Sequence, residues 1–98
     1  MRRAATSGRP IGEALEELVR KLGIKKKLQE YDAVLRWEEI VGQQIARVTV
    51  ATRITKGILF VRVKSSAWRN ELTMRKVEIK EKLNTALGED IVTDIKFH

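Results

Sequence analysis

Two short runs of alternating residues, separated by Lys56-Gly57, constrain this chain more than any other feature. Before the dipeptide, Val48, Val50, Thr52 and Ile54 alternate with Thr49, Ala51, Arg53 and Thr55. After it, Leu59, Val61 and Val63 alternate with Phe60, Arg62 and Lys64. A period of two in β-branched residues marks strands with one buried face. A two-residue break ending in glycine closes such a pair into a hairpin, because glycine takes a positive φ at little steric cost. With the branched residues turned inward, Arg53, Phe60, Arg62 and Lys64 share the outward face. The charge of this region has one sign. From Ile40 to Asn70 there are six basic residues (Arg47, Arg53, Lys56, Arg62, Lys64 and Arg69) and no acid, so 31 residues carry +6 of the chain's net +7.

A hairpin alone cannot bury that inward face, and the flanking sequence supplies the cover. Ile11, Leu15, Leu18, Val19 and Leu22 recur at helical spacing, and Pro10 suits the first turn. Glu13, Glu16 and Glu17 lie early and Arg20-Lys21 late, as the helix dipole favours, and Gly23 suits the C-terminal cap. Ile24, Leu28, Tyr31, Leu35 and Ile40, widened by Val34 and Val41, predict a second helix from about Lys25 to Val41. Gly42 interrupts it, with Gln43 to Ala46 as a further turn. Ser65 or Ser66 suits the N-cap of a third helix, with Trp68, Leu72, Ile79, Leu83 and Leu87 as its buried stripe and Gly88 at its end. Ile91, Thr93, Ile95 and Phe97 then alternate with Val92, Asp94 and Lys96 as a third strand.

The order is helix, helix, strand, strand, helix, strand. In 98 residues this predicts one α+β domain, a two-layer sandwich with helices on one face of a three-stranded sheet. The sequence leaves the strand order open. Residues 1–9, with Arg2, Arg3 and Arg9, are expected to form a flexible basic arm ahead of a domain at 10–98.

Few catalytic chemistries can be built from these residues. His98 is the sole histidine and there is no cysteine, so neither a tetrahedral zinc site nor a Ser-His-acid or Cys-His constellation is available. No glycine-rich phosphate loop of the Walker or dinucleotide type occurs. The chain is therefore expected to be non-enzymatic, with no cofactor, metal or small-molecule substrate. No apolar run follows Met1-Arg2-Arg3, so neither a signal peptide nor a membrane anchor is expected.

Binding chemistry is better represented. A pI of about 10.1 points to polyanions or acidic protein surfaces. Arg53, Arg62 and Lys64 on the hairpin face, Lys56 at its tip, and Arg47 and Arg69 at its edges are candidate phosphate contacts. Phe60 among them can stack a base, as exposed sheet aromatics do in single-strand binders. Lys25, Lys26 and Lys27 at the second helix start are further candidates, although such a run is more often a solvated face. Trp68 falls on its helix's buried stripe. Trp37 lies near the edge of its own stripe and is the candidate partner-binding residue.

Several of these elements coincide in one pattern: Trp37-x-x-Ile40-Val41-Gly42-x-x-Ile45-Ala46, then Thr49, then Gly57-x-Leu59-x-Val61-x-Val63, Ser65-Ser66-x-Trp68-x-x-x-Leu72, Leu83-Asn84-x-x-x-Gly88 and Ile95-x-Phe97. This pattern resembles the DciA family over about residues 11–97. The resemblance implies a bacterial, cytoplasmic protein with a KH-like core domain, acting in DNA replication. It implies binding to the replicative helicase, help in placing that helicase on single-stranded or forked DNA, and DNA binding by the protein itself. Family members have also been described as possible RNA-binding proteins, so an RNA-binding module is the alternative, and an adaptor docking an acidic protein is a third. KH domains that clamp RNA carry a Gly-x-x-Gly loop, which is missing here, so nucleic acid is expected to use the hairpin face instead. Many members also carry tail sequence that contributes to helicase contact. Here the sequence stops at Phe97-His98, which leads to the expectation that the domain works alone or that helicase loading is weaker or lost.

Overall fold

The computed structural model describes residues 4–98. Its elements, in chain order, are α1 (Ala4–Leu22), α2 (Ile24–Leu35), α3 (Trp37–Val41), α4 (Gln43–Ala46), β1 (Thr49–Thr55), β2 (Ile58–Val63), α5 (Ser66–Met74), α6 (Lys76–Leu87) and β3 (Asp94–Phe97). The three strands form one sheet in the order β1-β2-β3. β1 and β2 are antiparallel, and β2 and β3 are parallel, joined by the α5–α6 crossover. The result is a small KH-like α+β domain with helices against one sheet face.

The hairpin turn follows directly from its two residues. Thr55 pairs with Ile58, and Lys56 and Gly57 between them both adopt positive φ, 51° and 82°. Positive φ at both central residues gives the turn a twist that matches the strands. Glycine is also required at position 57 by space. A Cβ there would lie 2.7 Å from Thr93 Oγ1. The turn is tied down from two sides: the Gly57 N–H donates to Glu30 Oε2 at 2.9 Å and its carbonyl accepts from Thr93 N–H at 2.8 Å.

The core lies between the sheet and helices α3 to α6. Leu59, Val61 and Val63 of β2 and Ile95 of β3 point into it, meeting Ile40, Val41 and Ile45 of α3 and α4, and Leu72, Ile79 and Leu83 of α5 and α6. Ser65 caps α5, its Oγ accepting from Trp68 N–H at 3.2 Å. The chain turns at Arg75, so the expected third helix is two, α5 and α6, sharing one buried stripe. After α6, Asn84 holds the return to β3: its Oδ1 accepts from Ile91 and Val92 N–H, and its Nδ2 donates to the Val92 carbonyl.

Three further sequence expectations change. First, α1 begins at Ala4 and carries Pro10 inside it, so the helix starts before the proline. Pro10 lacks the N–H that would bond back one turn, which leaves that turn one hydrogen bond short. Residues 1–3, including Arg2 and Arg3, lie outside the described residues, as does the side chain of Arg9.

Second, the apolar stripes of α1 and α2 are not core. Ile11, Leu15, Leu18 and Leu22, and then Ile24, Leu28, Tyr31 and Leu35, are exposed. α2 instead turns Ala33 and Val34 inward, and the buried side continues into Trp37, Ile40 and Val41. The small Ala33 lets α2 lie close to β1 and carries no signal in a hydrophobic-stripe count.

Third, β1 has a bulge. The register shifts between Ala51 and Arg53, leaving Thr52 as the extra residue, with its Oγ1 donating to the Phe60 carbonyl. Thr49, Ala51 and Ile54 therefore face inward and Val50 outward, whereas strict alternation had placed Val48, Val50, Thr52 and Ile54 together. An inserted residue reverses which side faces the core from that point on.

Candidate nucleic-acid interface

The outward sheet face is built by register. On β2, Phe60 and Arg62 point away from the core that Leu59, Val61 and Val63 fill. Across the antiparallel ladder, Arg53 stands opposite Phe60, and Val50 opposite Arg62. Across the parallel ladder, Lys96 stands opposite Phe60. One row across the sheet therefore reads Arg53, Phe60, Lys96. The ladder continues to His98, whose N–H donates to the Val61 carbonyl and whose carbonyl accepts from Val63 N–H, which sets His98 beside Arg62.

The bulge matters here. Without the extra Thr52, Arg53 would not lie across from Phe60. With it, the Arg53 guanidinium sits over the Phe60 ring, 4.0 Å from the centroid. The half-buried ring is thus covered on one side by a cation, at a distance where the ring's negative face attracts it. The guanidinium therefore lies against the ring that the sequence offers as a base-stacking platform.

The remaining candidate cations divide by position. Lys56 is exposed at the hairpin tip, and Lys64 is exposed just past the end of β2, its N–H donating to the Val48 carbonyl. Lys27 shares a shallow groove with Tyr31, Thr52 and Arg53, so α2 adds one cation to the edge of the sheet face. Lys25 and Lys26 are exposed in the same first turn of α2. Arg47 lines a separate cleft with Gln43, Gln44 and Trp68 at the base of the hairpin. Arg69 is partly buried, and its Nε is enclosed without a hydrogen-bond partner.

Trp37 must be corrected. It is 1% exposed, and its indole N–H donates to Thr49 Oγ1 at 2.9 Å, while Thr49 Oγ1 donates to the Ile45 carbonyl at 2.7 Å. The indole joins α3, α4 and β1 inside the core and presents nothing to a partner.

Lys96 was not singled out from the sequence. It belongs to the third strand's polar set, and its place beside Phe60 depends on β3 lying next to β2. Tertiary packing also brings carboxylates, from α2 and from β3, to a hairpin that has none of its own. Glu30 reaches the turn, and Asp94 stands beside Ile58 at the start of β3. The Ile95 N–H, 2.8 Å away, holds the Asp94 carboxyl below the ordinary carboxylate range, and Lys76 at 3.3 Å and Lys96 act in the same direction. The donors thus hold Asp94 in its ionised form, with its charge set against Lys76.

Fold and site together describe a small α+β domain with a cationic, aromatic-backed outer sheet face. The family model for DciA, described as Dna[CI] antecedent, matches residues 10–97, and the chain belongs to the DciA family. It is 33% identical over 92 residues to a UPF0232 protein of Mycolicibacterium paratuberculosis, covering 94% of this chain and 51% of that relative. It is 32% identical over 87 residues to a UPF0232 protein of Mycobacterium tuberculosis, covering 89% of this chain and 46% of the relative. The chain thus spans about half the length of the curated relatives it matches. Among the described residues no helix is long and apolar enough to cross a membrane.

Proposed function

We propose that this protein is a non-enzymatic, cytoplasmic accessory protein of the bacterial replicative helicase, assisting helicase loading in DNA replication and holding single-stranded or forked DNA on its outer sheet face. Membership of the DciA family supports the helicase role. The observation that carries the nucleic-acid reading is the row Arg53, Phe60 and Lys96, with the Arg53 guanidinium over the ring and Arg62 in the next row. Cations spaced along a flat sheet neutralise successive phosphates and release counterions. A guanidinium plane fixed against an aromatic ring stacks a base without reading its identity, which suits a protein that must accept any sequence. Such a face serves an extended strand better than a duplex, whose bases are already stacked on one another.

The test is a pair of titrations on the purified protein at two salt concentrations, one with labelled single-stranded DNA and one with RNA of the same sequence. Salt-sensitive binding that favours DNA, or treats both alike, is expected. A clear preference for RNA that depends on the 2′-hydroxyl would overturn the DNA assignment in favour of an RNA-binding module. No binding to either, with retained association with the replicative helicase, would replace it with a protein adaptor.

A further inference from the structure

Trp37 and Trp68 are the chain's two tryptophans, and the fold uses them differently. The indole N–H of Trp37 is bonded to Thr49 inside the core. Trp68 is half-buried. Part of it packs against the core, but its indole N–H is neither enclosed nor bonded to a partner among the described residues. A tryptophan in the interior usually finds a partner for that group. Here the indole instead forms one wall of a cleft of about 440 Å³ between α4 and α5, lined also by Gln43, Gln44, Arg47 and Val48. Among the described residues, the amides of Gln43 and Gln44 and the guanidinium of Arg47 have no hydrogen-bond or ion-pair partner either. The cleft thus combines apolar surface from Trp68 and Val48, one cation and several open donors and acceptors, and no carboxylate lines it.

We propose that this cleft takes one unstacked base of a single nucleic-acid strand, with the base against the Trp68 indole, its edge toward Gln43 and Gln44, and the adjoining phosphate on Arg47. This site rests on the reading of the outer sheet face as the strand's main track. The two are continuous. Lys64 N–H donates to the carbonyl of Val48, so the last outward cation of β2 stands beside a residue that lines the cleft. Arg62 lies two residues earlier, about 7 Å back along the strand. Arg62, Lys64 and Arg47 therefore lead from the sheet face round its end to the cleft, and no acid occurs in the sequence from Ile40 to Asn70. The cations favour a polyanion, and the open indole favours a base over a bare phosphate. A glutamine amide carries donors and an acceptor together, so the pair can meet the edge of any base.

The test follows tryptophan emission and the anisotropy of labelled single-stranded DNA in one titration of the full chain. Emission is expected to be quenched as the strand binds, since a base stacked on an indole quenches it. A strand of abasic sugar-phosphates should bind without quenching. Binding by anisotropy with unchanged emission, or equal quenching by the abasic strand, would overturn the cleft assignment and leave the outer-face reading standing. No binding at all would overturn both. Trp68→Leu keeps an apolar side chain against the core and leaves Trp37 as the sole tryptophan, whose emission reports whether the interior is intact. Loss of one stacked base should weaken binding about five- to a hundredfold and abolish the quenching. Arg47→Gln, at an exposed position, should weaken binding and lower the slope of log K against log salt by about 0.7. Quenching that persists in Trp68→Leu, or an Arg47→Gln variant that binds and quenches as the parent does, would overturn the proposal.

Discussion

Replacing Arg53, Arg62 and Lys64 together by glutamine removes three cations from the outer sheet face and leaves Lys96 and Lys56 in place. All three side chains are exposed, so the core that Leu59, Val61 and Val63 build behind them is untouched. The exception is the cation–π contact of Arg53 with Phe60, whose loss costs about 0.5–1 kcal/mol of stability. Each cation that neutralises a phosphate of a single strand contributes about 0.7 to the slope of log K against log salt concentration. Losing three contacts should lower the slope by about 2. At about 0.1 M salt, where log concentration is −1, affinity should fall about 100-fold. Fluorescence anisotropy with labelled single-stranded DNA at four or five salt concentrations measures both quantities, with a thermal melt to confirm that the variant is folded. Lys80→Gln with Lys82→Gln, on helix α6, lowers net charge without touching the sheet face and should leave the slope near that of the parent protein. If the triple variant keeps the parent slope, or the α6 control falls as far, the outer sheet face is not where phosphates bind.

Three further outcomes follow from the packing and the charge pairs. Leu59→Ala and Leu83→Ala, both fully buried, should each cost about 2–5 kcal/mol in urea unfolding, whereas Leu15→Ala on the exposed stripe should cost well under about 1 kcal/mol. Gly57→Ala should destabilise by about 1–3 kcal/mol, because the new Cβ meets Thr93 Oγ1 and the positive φ is strained; adding Thr93→Ala should recover the steric part alone. The folded carboxyl of Asp94 is depressed, so its contribution to stability is present above the unfolded value of about 3.9 and is lost as pH falls through the lower folded value. The parent and Asp94→Asn should therefore differ in melting temperature at pH 6 and converge as pH falls through the depressed folded value.

Trp37 shows how local pattern and tertiary contact divide the information. From its own helix it looks peripheral, because the stripe Ile24, Leu28, Tyr31 and Leu35 marks the apolar side. In the fold that stripe is exposed and the buried side runs through Ala33, Trp37 and Ile40. Periodicity reports that a helix is amphipathic, but it does not say which surface covers its apolar side. The family pattern has a similar limit. Trp37, Thr49, Gly57, Ser65 and Asn84 prove to be an internal hydrogen bond, a tight turn, a cap and a loop clasp. The pattern that marks the family therefore marks its fold, and the cations of the outer face lie mostly between those positions.

Chain-local physics is enough to give the elements and their order: alternation for β1 and β2, Lys56-Gly57 for their turn, Ser65 for the start of α5, and an acid-free basic stretch for the hairpin. These depend on backbone sterics and on residues within a few positions of each other. The order of the sheet, the bulge at Thr52, the meeting of Arg53 with Phe60, and the arrival of Lys96, Glu30 and Asp94 at the hairpin all depend on contacts between residues far apart in sequence. Their energies exist only once loop closure brings the partners together, so no local window of residues contains them.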